Sequence, residues 1–245
     1  FYPLARTISP PYEHTMNWTD RLALFTPLDF AAVFTIFALW LLIGWRIEHP
    51  SKNAPSVSHI MADYRREWMR QMITREPRIF DAQTVATLRQ GTSFFASTSM
   101  IAIGGILAII GNSENMVGVA EDITLMSHPP IVWEIKLLLV AFFLTNAFLK
   151  FVWSNRLFGY CSVLMAAVPN DPTDPRAPGL AGKAAEINVT AARSFNRGLR
   201  SVYFSFAGMC WLGGPLLLLA GAILTLIVIW RREFASQSRG ILLEK

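Results

Sequence analysis

The chain is poor in the residues from which soluble enzymes build reactive sites. It holds two cysteines and four histidines in 245 residues, and only 16% of its residues are charged. Cys161 and Cys210 lie in apolar surroundings without the spacing of a redox or metal motif, so we expect buried, unpaired thiols. All four histidines lie outside the centres of the apolar segments, which argues against a transmembrane haem held by buried imidazoles.

Familiar catalytic motifs are also missing. The sequence contains no HExxH, GxSxG or GxxxxGK(S/T) pattern. It therefore offers no catalytic residue, no metal-ligand set and no cofactor site, and we do not expect an enzyme.

Long apolar runs account for the low charge, because 53% of the residues are hydrophobic. Four runs can be read, at Leu28–Ile47, Phe94–Gly111, Ile131–Trp153 and Val202–Trp230. Crossing a bilayer core takes about 20 apolar residues as a helix, and continuous rather than alternating runs favour helices. The predicted fold is all-α: a polytopic membrane protein of about four transmembrane helices in one domain, residues 1–245, with an N-terminal extension at residues 1–15.

Basic residues are sorted between the connecting segments. Residues 46–89 carry eight Lys or Arg and residues 150–200 carry seven, of 22 in the chain, whereas Asn112–Pro130 carries none. Cytoplasmic loops retain Lys and Arg. We therefore expect a multi-pass protein of the cell membrane, such as the bacterial inner membrane, with residues 47–92 and 154–201 in the cytoplasm and Asn112–Pro130 outside.

The last apolar run is unusual in length and content. Val202–Trp230 would measure roughly 44 Å as a straight helix, well over the bilayer core, and it contains Gly213, Gly214 and Pro215. A kinked span is the first interpretation, and a broken, re-entrant pair of helices is the second. Four complete spans place both termini outside, whereas a re-entrant last segment would return the basic residues Arg231, Arg232, Arg239 and Lys245 to the inside. Four complete spans remain the expected arrangement, because the two long basic connections outweigh this tail.

Residues 57–90 form an amphipathic region. The residues that recur at helical spacing on one face are Val57, Ile60, Met61, Tyr64, Trp68 and Met72. The basic residues elsewhere in this region, expected to face anionic lipid headgroups, are Arg65, Arg66, Arg70 and Arg75. The alternative is a cytoplasmic helix packed on its own neighbours, with Trp68 and Met72 covered by residues 184–199 or by a partner subunit.

Small and polar residues mark two further candidate surfaces. In the second run, small side chains that would allow another helix to approach closely are Gly104, Gly105, Ala108 and Gly111. The deepest polar groups, predicted to form interhelical hydrogen bonds or to line a polar path, are Ser97, Thr98, Ser99, Thr145 and Asn146. Lys136, near the start of the third run, is expected to extend its amine to the membrane surface.

Several phrases resemble an uncharacterised family of multi-pass membrane proteins of bacteria and plants. They are WRIEHP from Trp45, RIFDAQTVATLRQGTSFFASTSM from Arg78, FVWSNR from Phe151, SFNRGLRSVYF from Ser194 and WRREFAS from Trp230. The resemblance implies an integral membrane protein of about four helices. It supplies no reaction, cofactor or catalytic residue.

The leading functional hypothesis is a structural or accessory membrane subunit that assembles by helix packing with itself or within a larger complex. The alternative is a small channel or transporter. Anionic membrane lipids are the expected partners of the basic segments, and nucleic acid is not, because the positive charge flanks the predicted spans.

Overall fold

A computed structural model describes residues 17–51, 53–112 and 129–244. The predicted N-terminal extension, residues 1–15, lies outside the described residues, and so does most of the predicted external loop Asn112–Pro130. The described helices are α1 (Trp18–Leu22), α2 (Pro27–Glu48), α3 (Val57–Met72), α4 (Ile79–Ile110), α5 (Pro130–Ala167), α6 (Ala177–Met209), a 3-10 turn (Cys210–Gly213), α7 (Pro215–Phe234) and α8 (Gln237–Leu243). The predicted all-α class is confirmed.

Four helical segments are long and apolar enough to cross a membrane. They are Pro27–Glu48, Ile79–Ile110, Pro130–Ala167 and Pro215–Leu243. Large apolar side chains on them are exposed, among them Phe34 (75%) and Ile101 (76%). An exposed apolar surface of this extent is stable in lipid rather than in water, so the fold is that of a multi-pass membrane protein.

The start of α2 follows from its local sequence. The Thr26 side chain accepts a hydrogen bond from the Asp29 amide, and the Asp29 carboxylate accepts bonds from the Thr26 amide and hydroxyl. Pro27 occupies the first turn, where its missing N–H has no cost. This capping box orients the first apolar helix.

Helices α5 and α6 form the central antiparallel pair. Contacts along the pair join Gly208 with Val140, Ser201 with Asn146, Ser194 with Lys150, Ser154 with Ala191 and Cys161 with Ala184. The two residue numbers in each contact add up to nearly the same value, so the helices remain side by side along their length. Since α5 has 38 residues, about 57 Å of helix, the pair connects both ends of the molecule.

The single last span predicted over Val202–Trp230 is wrong, because this segment is divided between α6 and α7. Gly214 has φ 113°, a left-handed conformation that glycine adopts readily, and Pro215 begins α7. The chain reverses there: Cys210 lies against Gly221, and the Arg232 guanidinium donates to the Tyr203 hydroxyl. The segment is therefore broken and turns back, as in the second interpretation, and its position relative to a membrane stays a prediction.

The C-terminal segment lies beside the connection between α2 and α3. Arg239 Nε donates to the Pro55 carbonyl at 2.9 Å, and Ser58 donates from its amide and hydroxyl to the Glu233 carboxylate. The basic residues that follow the last apolar run thus share one end of the molecule with the first basic connection. We call this end the basic end, and the end that holds Thr26 and Gly214 the distal end.

Helix α3 packs on its neighbours, as the alternative interpretation of residues 57–90 proposes. Met69 and Met72 are fully buried, in a cluster with Ala181, Ala184 and Ala185 of α6. The Trp68 indole donates to Asp81 of α4 at 2.6 Å. Helix α4 begins at Ile79, so its amphipathic first part and the second predicted span form one continuous helix.

Candidate functional site

A cavity lined by charged residues lies at the basic end. It has a volume of about 410 Å³ and is enclosed by the end of α2, the start of α3, the middle of α6 and the end of α7. Its charged lining residues are Glu48, Arg65, Arg193, Arg200, Arg232 and Glu233. We call it the basic-end cavity.

A charge network on one wall joins α2 to α6. Arg197 Nε and Arg200 Nη2 each lie 2.8 Å from Glu48 Oε1, and a second bond from Arg197 reaches Glu48 Oε2. The Arg200 side chain is 8% exposed and that of Glu48 is 16% exposed, whereas that of Arg197 is 43% exposed. Glu48 therefore neutralises a guanidinium that has little access to water.

The opposite wall is held by Glu233 at the end of α7. Its two carboxylate oxygens accept hydrogen bonds from the Ser58 amide at 3.0 Å and the Ser58 hydroxyl at 2.9 Å. Asn196 of α6 donates to the same hydroxyl at 3.3 Å. These bonds fix the first turn of α3, and a carboxylate is favourable there because helix N-termini attract negative charge.

Arg65 extends from α3 towards the interior. It donates to the Asn188 amide oxygen of α6, and Asn188 in turn donates to Cys161 Sγ at 3.5 Å. Burial lowers the pKa of the Arg65 guanidinium, since its hydrogen-bond partner is neutral. Arg66, the next residue, instead pairs with the exposed Glu186, which raises the pKa of Arg66 and lowers that of Glu186.

The four basic residues predicted to face lipid are divided by the structure. Arg65 binds Asn188 and lines the cavity, and Arg75 binds the buried Asp81 while its own side chain stays 36% exposed, so contact of these two with lipid headgroups stays a prediction. Arg66 bridges to α6. Arg70 pairs with Glu67 on the outer face of α3 and remains 71% exposed.

The five predicted polar residues are not brought together. Ser97, Thr98 and Thr145 are exposed, and Ser99 donates to the Phe95 carbonyl of its own helix. Asn146 accepts a bond from Ser201 at 3.0 Å. Neither a shared polar path nor a general set of interhelical bonds results, and Asn146 alone of the five joins two helices by a hydrogen bond in the described part of the chain.

The small residues at the end of α4 face away from the other described helices. Gly104, Gly105, Ala108 and the adjoining Gly111 are all exposed. Among the described residues, a Cβ at Gly104 or Gly105 would meet no heavy atom within 4 Å beyond the helix's own backbone. No described helix covers this surface.

Two charged side chains, Asp29 of α2 and Lys136 of α5, are buried near the distal end. The Trp211 indole donates to Asp29 Oδ1 at 2.7 Å, and the Asp29 side chain is nearly inaccessible. Lys136 is 3% exposed, and its Nζ lies 5.1 Å from the centre of the Trp133 ring. The expectation that Lys136 reaches the membrane surface is wrong, because its amine lies beside Trp133 of its own helix and near Asp29 of α2, away from the surface.

Metal binding finds no support in the described residues, since no group of three or more His, Cys, Asp or Glu side chains occurs among them. Cys161 is buried as predicted, and Cys210 is only partly buried. Both are free thiols.

The fold and the cavity together define an all-helical, multi-pass membrane protein with a polar, positively charged site at one end of its bundle. The chain belongs to the family described as proteins of unknown function, DUF599, whose model matches residues 31–238. No curated protein and no solved structure gives a significant match. Membership confirms the resemblance to an uncharacterised family, and it assigns no reaction.

Proposed function

We propose that this protein is a structural or accessory subunit of the cell membrane that assembles laterally through the second half of α4. The observation that carries the proposal is the exposed small-residue surface of Gly104, Gly105 and Ala108. Without a hydrophobic driving force between helices in lipid, association depends on close backbone approach, and small residues permit it. Ile101 and Leu107 flank this surface and are 76% and 53% exposed.

Other glycines of the chain support this interpretation by contrast. A Cβ at Gly198 would lie 2.6 Å from the Phe151 ring, and one at Gly221 would lie 2.9 Å from Cys210 Sγ. Those glycines are needed for contacts between helices of one chain. Gly104 and Gly105 have no such contact, so their small size fits a contact between chains.

Replacing Gly104 by Leu is expected to weaken self-association. Two populations of the protein, labelled with donor and acceptor dyes, should show energy transfer in liposomes. The transfer should fall at least several-fold in Gly104→Leu, since the larger side chain separates the helix backbones. The measurement is transfer efficiency as a function of the protein-to-lipid ratio.

The matched control is Ala220→Leu, which enlarges an exposed small residue on α7 rather than on α4. Transfer should be retained in this variant. If the wild-type protein shows only the energy transfer expected from random proximity, the chain does not self-assemble. Assembly with another protein would then be tested by co-purification with the same two variants.

The proposed membrane arrangement has five passes, with α6 crossing in addition to the four long apolar segments. It is supported by the antiparallel contacts of α6 with α5 and by the reversal at Gly214. With the basic end in the cytoplasm, the positively charged connections and the C-terminal residues lie inside, as the positive-inside rule favours. Residues 17–26 then lie on the outer side.

Cysteine labelling should locate the C-terminus on the same side as the first basic connection. In a cysteine-free variant, an impermeant thiol reagent on intact cells should label Ser113→Cys, and it should leave Asn53→Cys and Ser238→Cys unlabelled until the membrane is permeabilised. Asn53 and Ser238 are both exposed, so lack of labelling would report the membrane rather than burial. Labelling of Ser238→Cys together with Ser113→Cys would contradict the five-pass arrangement.

The alternative function, a small channel or transporter, is favoured by a different observation. Asp29 and Lys136 place charges inside the apolar half of the bundle, where ionisable residues commonly mark transport pathways. Solute flux into liposomes tests this alternative. A transport pathway predicts that Lys136→Met changes the flux and that Gly104→Leu, which affects only assembly, leaves the flux through a single subunit unchanged.

A further inference from the structure

We propose that the basic-end cavity binds the phosphate group of an organic phosphate, either a soluble phosphomonoester or a lipid headgroup. The proposal is independent of lateral assembly through α4. It rests on the charges of the lining residues, on their partners and on the size of the cavity.

The lining carries more positive than negative charge. Four arginines and two glutamates line the cavity. Glu48 is already bound by Arg197 and Arg200, and both oxygens of Glu233 are bound by Ser58. Within the described parts of the chain, no carboxylate lies within 4 Å of the guanidinium groups of Arg65, Arg193 or Arg232.

Arg65 shows most clearly what the cavity lacks. The Arg65 side chain is half-buried, and taking a charge even partly out of water is costly unless an opposite charge pairs with it. Arg65 has a neutral partner, the Asn188 amide oxygen, which occupies one of its five N–H donors. An oxyanion in the cavity would supply the missing negative charge and accept from the remaining donors, in the paired geometry that guanidinium groups favour.

The volume and the remaining lining favour an ester over a bare ion. At about 410 Å³ the cavity falls in the range of small-molecule sites. Ser236 and Ser238 bring hydroxyl groups, and Met61, Ala62 and Val189 bring apolar surface for a carbon skeleton. Phosphate oxygens facing the arginines and carbon atoms facing these apolar residues would use both kinds of lining.

Two probes distinguish the possible sources of the phosphate. The full chain in nanodiscs of zwitterionic lipid is titrated with radiolabelled glycerol 3-phosphate, which tests a soluble phosphomonoester. In parallel, retention of phosphatidic acid, which carries the same group on acyl chains, is measured by native mass spectrometry after purification from mixed vesicles. Saturable binding of either probe at near-stoichiometric ratio supports the site and identifies its source.

The variants are chosen to separate binding from folding. Arg193→Gln changes an exposed side chain that lines the cavity, and Arg65→Gln changes the interior one. Each should weaken binding of the retained probe by about tenfold, as expected for the loss of a charge-assisted contact. Arg70→Gln, on the same helix as Arg65, should change binding less than twofold, because Arg70 pairs with Glu67 and does not line the cavity.

Two results would overturn the proposal. If neither probe binds the protein more strongly than chloride does at the same concentration, the cavity is not a phosphate site. Equal losses in Arg193→Gln and Arg70→Gln would also overturn it, since binding would then depend on surface charge in general. Helical content and the melting temperature, measured for each variant, exclude unfolding as the cause of a loss.

Discussion

Replacing Gly198 by Ala is expected to destabilise the protein, although alanine is the better helix former. The added Cβ would lie 2.6 to 3.0 Å from three atoms of the Phe151 ring. Phe151 is fully buried and lies 5.4 Å, between ring centres, from each of Phe95 and Phe195, so its ring has little room to move. Overpacking of this kind costs roughly 1–3 kcal/mol, more than the helix propensity gained.

The same helix offers a matched control for this substitution. Gly182 is exposed, and among the described residues a Cβ there would meet no heavy atom within 4 Å. Gly182→Ala should therefore stabilise by up to about 1 kcal/mol through helix propensity alone. The measurement is the thermal unfolding midpoint of both variants in one detergent, and shifts of the same sign and size would contradict close packing of α6 on Phe151.

A second substitution tests whether the clash itself is responsible. Shortening the partner with Phe151→Leu in the Gly198→Ala background should recover part of the lost stability. The same change in the wild-type background should destabilise, because it leaves a cavity. A coupling energy near zero between the two positions would place the effect elsewhere.

Sequence reasoning predicts the helices well because lipid imposes strict demands on composition. The apolar runs locate the apolar cores of α2, α4 and α5, and the Thr26–Asp29 pattern locates the start of α2. It also finds the break at Gly213, Gly214 and Pro215. The direction of the chain after the break depends on the φ of Gly214, which no local pattern determines, and the basic residues beyond Trp230 were the indirect signal for it.

The roles of individual charges could not be predicted, because they depend on contacts between distant parts of the chain. Arg65 and Arg70 lie on the same helix. Arg65 binds Asn188, 123 residues away in the sequence, whereas Arg70 pairs with Glu67 of its own helix and is 71% exposed. The burial of Lys136 could not be predicted for the same reason, since its neighbour Asp29 lies on another helix, far away in the sequence.

One signal in the sequence does point to the basic-end cavity. Three of the phrases that carry the family resemblance supply its lining: Glu48 comes from WRIEHP, Asn196 and Arg200 come from SFNRGLRSVYF, and Glu233 comes from WRREFAS. A fourth, FVWSNR, supplies Asn155, whose amide binds the Arg89 carbonyl and the hydroxyls of Thr92 and Ser93 on α4. The convergence of three phrases on one cavity becomes visible only once the helices are assembled.

Replacing Glu48 by Gln is expected to cost roughly 3 kcal/mol of stability, because it leaves the buried guanidinium of Arg200 without its carboxylate. Arg197, which shares the same carboxylate, is 43% exposed and can be hydrated after the change. The cost should therefore arise mainly from Arg200. Unfolding by heat or denaturant in one detergent, followed by tryptophan fluorescence, measures it.

Glu186→Gln is the matched control, since it removes the same charge from another glutamate–arginine pair. Glu186 and Arg66 are 60% and 39% exposed, so this pair contributes at most about 1 kcal/mol. Adding Arg200→Met to Glu48→Gln should restore part of the loss, because the unpaired charge is removed and replaced by an apolar side chain that packs against α2 near Gly44. Equal small losses for Glu48→Gln and Glu186→Gln, with no recovery in the double variant, would mean that water reaches Arg200 and that the wall of the cavity is open on this side.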